Sequence, residues 1–184
     1  MKKLFFICFL LPYLSPAAQN LQTYTDLLKF TDEVYVSDSL HINAAPRQKN
    51  LLDSLSVKKW FSSVLGTARN NRLKNRNYYM AGKITTNTNF DLLVLLEEKK
   101  RSDSTSMQVA YLITTKKDGT YIASIEAAVA GIRRKSSYNT TSWLYKDYKI
   151  TLDSKIKVNQ TSFDDITSYK INGGGRFILY PKYE

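Results

Sequence analysis

The chain has 184 residues, 43% of them hydrophobic, and a formal net charge of +11 from 27 Lys and Arg against 16 Asp and Glu. That length suits one domain with a core large enough to stand without staples. The only cysteine is Cys8 and the only histidine His41, which excludes disulfide frameworks, thiolate metal sites and thiol chemistry in the chain beyond Cys8.

Residues 1–18 read as a signal peptide. Lys2 and Lys3 precede the apolar run Leu4–Leu14, and the small residues Ser15, Pro16, Ala17 and Ala18 follow. The run is too short to span a bilayer, and its order matches a leader removed on export. Cys8 lies in the middle of the run, not behind it where a lipidated cysteine belongs. The expectation is an exported bacterial protein, periplasmic or at the outer surface, whose working chain begins near Ala18 or Gln19. Without the two leader lysines the charge is +9, which favours anionic partners as well as solubility. No transmembrane segment is expected after the leader is removed, since Leu92–Leu96, the longest later apolar stretch, reads as a buried strand.

Residues 19–66 read as a helical N-terminal segment. Leu21, Tyr24, Leu27 and Leu28 share one helical face, and Asn20 is a candidate cap. Val34 and Tyr35 start a short extended piece, and Ser37–Arg47, with Pro46, reads as a connector. A second helical stretch runs from about Gln48 to Leu65, with Leu51, Leu52, Leu55, Trp60, Phe61, Val64 and Leu65 on its apolar face. Ser56 is an alternative start that would divide it, and Gly66 stands where a terminating glycine belongs. Residues 67–77 form a basic polar bridge.

From residue 78 to 184 the period changes to that of strands. Eight are expected: Tyr78–Thr86, Phe90–Glu98, Met107–Thr115, Thr120–Val129, Ser142–Leu152, Lys155–Asn159, Ile166–Ile171 and Arg176–Tyr180. Apolar residues on both faces mark Phe90–Glu98 as a central strand covered twice. Lys116-Lys117-Asp118-Gly119 and Asn172-Gly173-Gly174-Gly175 read as hairpin turns, as does Asp153-Ser154. Lys99–Ser106 and Ala130–Ser137 read as basic loops. The fold class is α+β: N-terminal helices packed on a curved antiparallel β-meander or partly open barrel of about eight strands, forming a single domain.

Few constellations carry chemistry. His41 lacks the second group that a metal site or nucleophile–base pair needs and reads as a connector histidine. Adjacent carboxylates occur at Asp32-Glu33, Glu97-Glu98 and Asp164-Asp165, but adjacent strand residues point to opposite faces, so Glu97 and Glu98 are not expected to share a site. The three consecutive glycines precede a strand, where a phosphate loop needs a helix. No catalytic residue, metal site or cofactor is assigned. Asn139-Thr140-Thr141 and Asn159-Gln160-Thr161 match the glycosylation sequon and are incidental in a bacterial protein.

The basic clusters are the candidate binding residues for an anionic partner: Arg69, Arg72, Lys74 and Arg76; Lys99, Lys100 and Arg101; Arg133, Arg134 and Lys135. Alternate loops of a meander emerge at the same end of the sheet, so connectivity allows these three segments to converge, while independent solvated loops are the alternative and the plainer expectation. Tyr138, Trp143, Tyr145 and Tyr148 form a candidate aromatic surface suited to a glycan; nucleic acid is not an expected partner of an exported protein.

The leader, the strand Asn89-Phe90-Asp91-Leu92-Leu93-Val94-Leu95 and the hairpin from Tyr111 through Lys116-Lys117-Asp118-Gly119 to Ile122 resemble those of small secreted proteins of the Bacteroidetes. The resemblance implies a periplasmic or surface location and brings no catalytic residues with it. Three functions are compatible with this sequence: a non-catalytic envelope protein binding a partner protein, anionic lipid or glycan through loops on a rigid sheet; a carrier enclosing a small apolar ligand in the curved sheet; and a carboxylate-dependent hydrolase.

Overall fold

A computed structural model describes residues 21–45, 49–66, 73, 75–85, 88–102 and 105–181, with the side chains of 100–102 and 105 outside the description. The leader, Asn20, Pro46 and, of the basic bridge, Arg69, Arg72 and Lys74 lie outside the described residues.

Helix α1 (Tyr24–Phe30) starts at Thr23, whose hydroxyl accepts from the Asp26 backbone N–H while Asp26 reaches back to the Thr23 backbone, a capping box. Helix α2 (Ser54–Leu65) starts at Asp53, which accepts from the Ser56 N–H at 2.7 Å, and ends at Gly66 with φ 66°. It therefore begins later than the expected Gln48. Leu51 and Leu52 are bound by sheet-type contacts instead, since the Leu52 N–H donates to the Tyr78 carbonyl and the Met80 N–H to that of Asn50. Ser56 is no cap; its buried hydroxyl accepts from the Leu21 N–H and ties the chain before α1 to α2.

Among the described residues ten strands form a single open sheet: β1 (Glu33–Val34), β2 (Ser39–Ile42), β3 (Arg76–Ile84), β4 (Phe90–Ser102), β5 (Thr105–Lys116), β6 (Tyr121–Arg133), β7 (Ser136–Tyr145), β8 (Lys149–Val158), β9 (Thr161–Ile171) and β10 (Phe177–Leu179). The expected number was eight. Of the two additions, β1 falls on the short extended piece expected at Val34 and Tyr35, and β2 lies in the stretch read as connector; both are too short to carry an alternating pattern, and His41 lies in β2. From β3 to β10 the strands form an antiparallel meander in chain order, and β1 lies parallel to β3.

Several boundaries also differ. The stretches read as basic loops are mostly strand: β4 and β5 run out to Ser102 and Thr105, and β6 and β7 are joined by the two residues Arg134 and Lys135. Pairing satisfies the backbone at the sheet's rim. Asp153 and Ser154 lie inside β8, paired with Thr141 and Thr140. The turn is at Lys146-Asp147-Tyr148, with Tyr148 at φ 64°. There the Tyr148 N–H donates to the Tyr145 carbonyl and Asp147 accepts from the Lys149 N–H. The Asp118-Gly119 turn has the same bonding, with Gly119 at φ 89°.

The sheet divides at β7. The first half of β7 pairs with β6 (Ser136–Thr140 with Val129–Arg133), and the same edge of its second half pairs with β2 (Ser142–Tyr145 with Ser39–Ile42). One core lies between the two limbs and joins Leu92, Val94, Leu96 and Leu112 with Ile42, Leu144, Ile150 and Ile171. The second lies under the helices, where Leu27, Val57, Phe61 and Leu65 meet Met80, Leu93, Leu95, Tyr111 and Ile113. Strand β4 is thus covered on both faces, as its composition requires. Among the described residues no helix is long and apolar enough to cross a membrane.

Candidate functional site: a cleft where three basic segments meet

Strand register sets the site. Arg76 on β3 stands opposite Lys99 on β4, Lys99 opposite Met107 on β5, Met107 opposite Gly131 on β6, Gly131 opposite Tyr138 on β7, and Tyr138 opposite Ile156 on β8. Directly opposed residues project from the same face, so this row crosses six strands on one side of the sheet. The next row on that side is Tyr78, Glu97, Val109, Val129, Thr140 and Ser154. Apart from Tyr78 and Gly131, the two rows line a cleft of about 570 Å³, which also takes in Tyr111, Glu126, Arg133 and Leu152.

Each of the three basic segments contributes one described cation to this cleft: Arg76, Lys99 and Arg133. The hairpin connections bring them together, because the start of β3 and the end of β4 lie at the same end of the sheet as the end of β6. Arg76 forms an ion pair with Glu97, whose side chain is 1% exposed, and the Tyr111 hydroxyl donates to the same carboxylate at 3.4 Å. Lys99 and Arg133 are in no ion pair among the described residues. Lys99 is half-buried and Arg133 exposed. Arg134 and Lys135 occupy the exposed β6–β7 turn and are not part of the cleft lining, and the side chains of Lys100 and Arg101 lie outside the described residues.

Between the charges the lining is mixed: Met107, Val109, Val129, Leu152 and Ile156 are apolar, and Tyr138, Thr140 and Ser154 are polar. Gly131 stands between Met107 and Tyr138 with no side chain. A Cβ there, at φ 135°, would fall inside the contact radius of the Ser106 carbonyl oxygen, so the close approach of β5 and β6 requires glycine.

Glu98 projects from the opposite face and accepts from the Tyr79 hydroxyl at 3.1 Å. Burial, followed by the neighbouring Glu98 charge, raises the Tyr79 hydroxyl above its ordinary range. Glu97 does share the cleft with a different carboxylate, Glu126, which is exposed.

The four aromatics do not make one surface. Tyr138 lines the cleft. Trp143 and Tyr145 occupy odd positions of β7 and project from the other face, where the Trp143 ring lies 4.6 Å from that of His41, its partner on β2. Tyr148 is in the turn and meets the Phe90 ring edge-on at 6.2 Å. The turn at 146–148 and the two-residue alternation separate what the linear spacing grouped.

The apolar half of the cleft was not singled out in the sequence. Its signal is the odd-numbered run Met107, Val109 and Tyr111 on β5, which acquires meaning only once the register sets it beside Glu97 and Val129. Among the described residues no group of three His, Cys, Asp or Glu is placed to hold a metal ion. Comparison with protein-family models, with curated proteins and with solved structures finds no match.

Proposed function

We propose that this chain is an exported, non-catalytic envelope or surface protein that binds an anionic ligand in the cleft between β3–β6 and β7–β8. The observation that carries the reading is the meeting of Arg76, Lys99 and Arg133, drawn from three segments, in one cleft whose walls are partly apolar. A cavity of this size falls in the range of small-molecule sites, about 300–1,000 Å³, where a few polar groups orient a ligand held by apolar walls. The leader motif supports export, and the leader with the Lys-Asp-Gly hairpin supports kinship with small secreted proteins of the Bacteroidetes.

The apolar lining also supports the carrier reading, in which the ligand's body and not its charge supplies most of the affinity. The hydrolase reading draws on Glu97 and Glu126 together, but Arg76 holds Glu97 as an ionised, paired carboxylate, a poor state for a proton donor.

Native mass spectrometry of the processed protein taken from its own cells tests the proposal. The expected result is a chain shortened by the leader that retains an anionic adduct, absent from a Lys99→Glu, Arg133→Glu double variant. An unprocessed cytoplasmic chain would refute export, and a bare processed chain would count against the binding site.

A further inference from the structure

Resting on that binding reading, we infer that the ligand is a single-chain anionic amphiphile, an acyl chain carrying one carboxylate or phosphate head. The head lies between Lys99 and Arg133, and the chain lies along Val109, Val129 and Ile156.

The charges decide the head. Glu97 would compete with an incoming anion, but Arg76 and Tyr111 already hold it. Lys99 and Arg133 have no such acidic partner among the described residues. They lie two strands apart near the ends of β4 and β6, and both side chains are long enough to converge on one anion. Glu126 is on β6 opposite Tyr111, toward the other end of the strand from Arg133, so among the described residues the head site is net positive.

The walls decide the body. Val109 and Val129 are opposed one step further along the strands than the Met107–Gly131 pair, and Tyr138, opposite Gly131, lines the cleft beside them. The row then continues through Ile156 to Phe163 on β9, directly opposite Ile156 and 56% exposed. From the head, midway between β4 and β6, to Ile156 on β8 there are three inter-strand gaps of about 4.8 Å, about 14 Å in all. An extended acyl chain fits that shape; a compact polar anion would leave it wet and unfilled.

Isothermal titration of the processed protein with butyrate, octanoate, dodecanoate, dodecyl phosphate and the uncharged monododecanoyl glycerol, all as monomers, tests this. Dodecanoate and dodecyl phosphate should both bind. Affinity should rise roughly fourfold per methylene from octanoate to dodecanoate while those methylenes are buried. Monododecanoyl glycerol should bind about tenfold more weakly. Lys99→Met with Arg133→Met should abolish the preference for the charged head, and Ile156→Asn should flatten the dependence on chain length. Circular dichroism checks that both variants fold.

Butyrate binding as tightly as dodecanoate would overturn the acyl chain, and equal affinity for the uncharged glyceride would overturn the anionic head. Binding to phosphatidylglycerol vesicles without binding to any monomer would overturn the cleft as a single-chain site in favour of a membrane surface. If no amphiphile binds while an anionic adduct is still retained from cells, this inference fails and the binding reading stands. If neither is seen, both fail.

Discussion

Arg76 reaches diagonally from β3 to Glu97 on β4 and neutralises a carboxylate that is almost wholly buried. Such a pair contributes less through its own attraction than through the harm of breaking it. Arg76→Met should therefore cost about 3 kcal/mol or more, because Glu97 is left charged without its counterion. Glu97→Leu should cost less, because Arg76 can still reach water, and the double change Arg76→Met, Glu97→Leu should recover most of the loss. Urea unfolding of the four proteins gives the coupling directly; strictly additive losses would contradict it.

A second pair anchors α1. The Tyr24 hydroxyl donates to Asp91 at 3.0 Å and lies 2.6 Å from the Thr115 hydroxyl, while Lys117 pairs with the other Asp91 oxygen at 2.6 Å. Burial, then the nearby Asp91 charge, pushes the Tyr24 hydroxyl far above its ordinary range, against an opposing hydrogen bond with Thr115. Tyr24→Phe should cost about 1–2 kcal/mol at neutral pH. The raised value means that the unfolded chain loses this proton first. The contribution is complete below about pH 10 and declines as pH rises above it. The parent's alkaline loss of stability should be visibly reduced in Tyr24→Phe; an unchanged alkaline limb would rule the assignment out.

Two glycines separate space from conformation. Gly131→Ala must force β5 and β6 apart at the Ser106 carbonyl and hold alanine at φ 135°, and should cost about 3 kcal/mol or more. Gly173→Ala meets nothing within 4 Å and is not at positive φ; it should be neutral within about 0.5 kcal/mol. Thermal denaturation of the two variants side by side checks the contrast.

On the acid side, Asp118 and Asp26 are both held below the usual carboxylate range. For Asp118 the main cause is the backbone N–H of Thr120, and for Asp26 it is the Thr23 hydroxyl. Lowered values mean that the stabilisation is present above the ordinary carboxylate pKa and is lost as pH falls through the folded value. Asp118 is exposed and Asp26 partly so, and screening by water keeps the effect small. Asp118→Ala should flatten the acid limb of a stability–pH profile and leave its alkaline limb unchanged.

How much of this was legible depends on which interactions are local. The double-sided apolar run of β4 and the Lys116–Gly119 hairpin are visible in the sequence because both depend on near neighbours. The meeting of Arg76, Lys99 and Arg133 at one end follows from hairpin parity alone. The turn at Lys146-Asp147-Tyr148 is hidden because Tyr148 occupies the left-handed position that glycine fills at 119. Strand β2 is hidden because four residues cannot show a period. The apolar walls of the cleft and the opposition of Glu97 to Val109 needed the register of five strands, which no local pattern specifies.

The division of β7 between β6 and β2 has a kinetic consequence. The hairpins from β3 onward join residues close in sequence and can form as the chain emerges. Leu40 finds its partner only when Leu144 is in place, so the β2–β7 seam carries the longest loop closure among the strand pairs and forms after the hairpins it joins. Reversible opening of the native protein should begin at the same seam, and amide exchange in β2 should outpace that in β4 and β5.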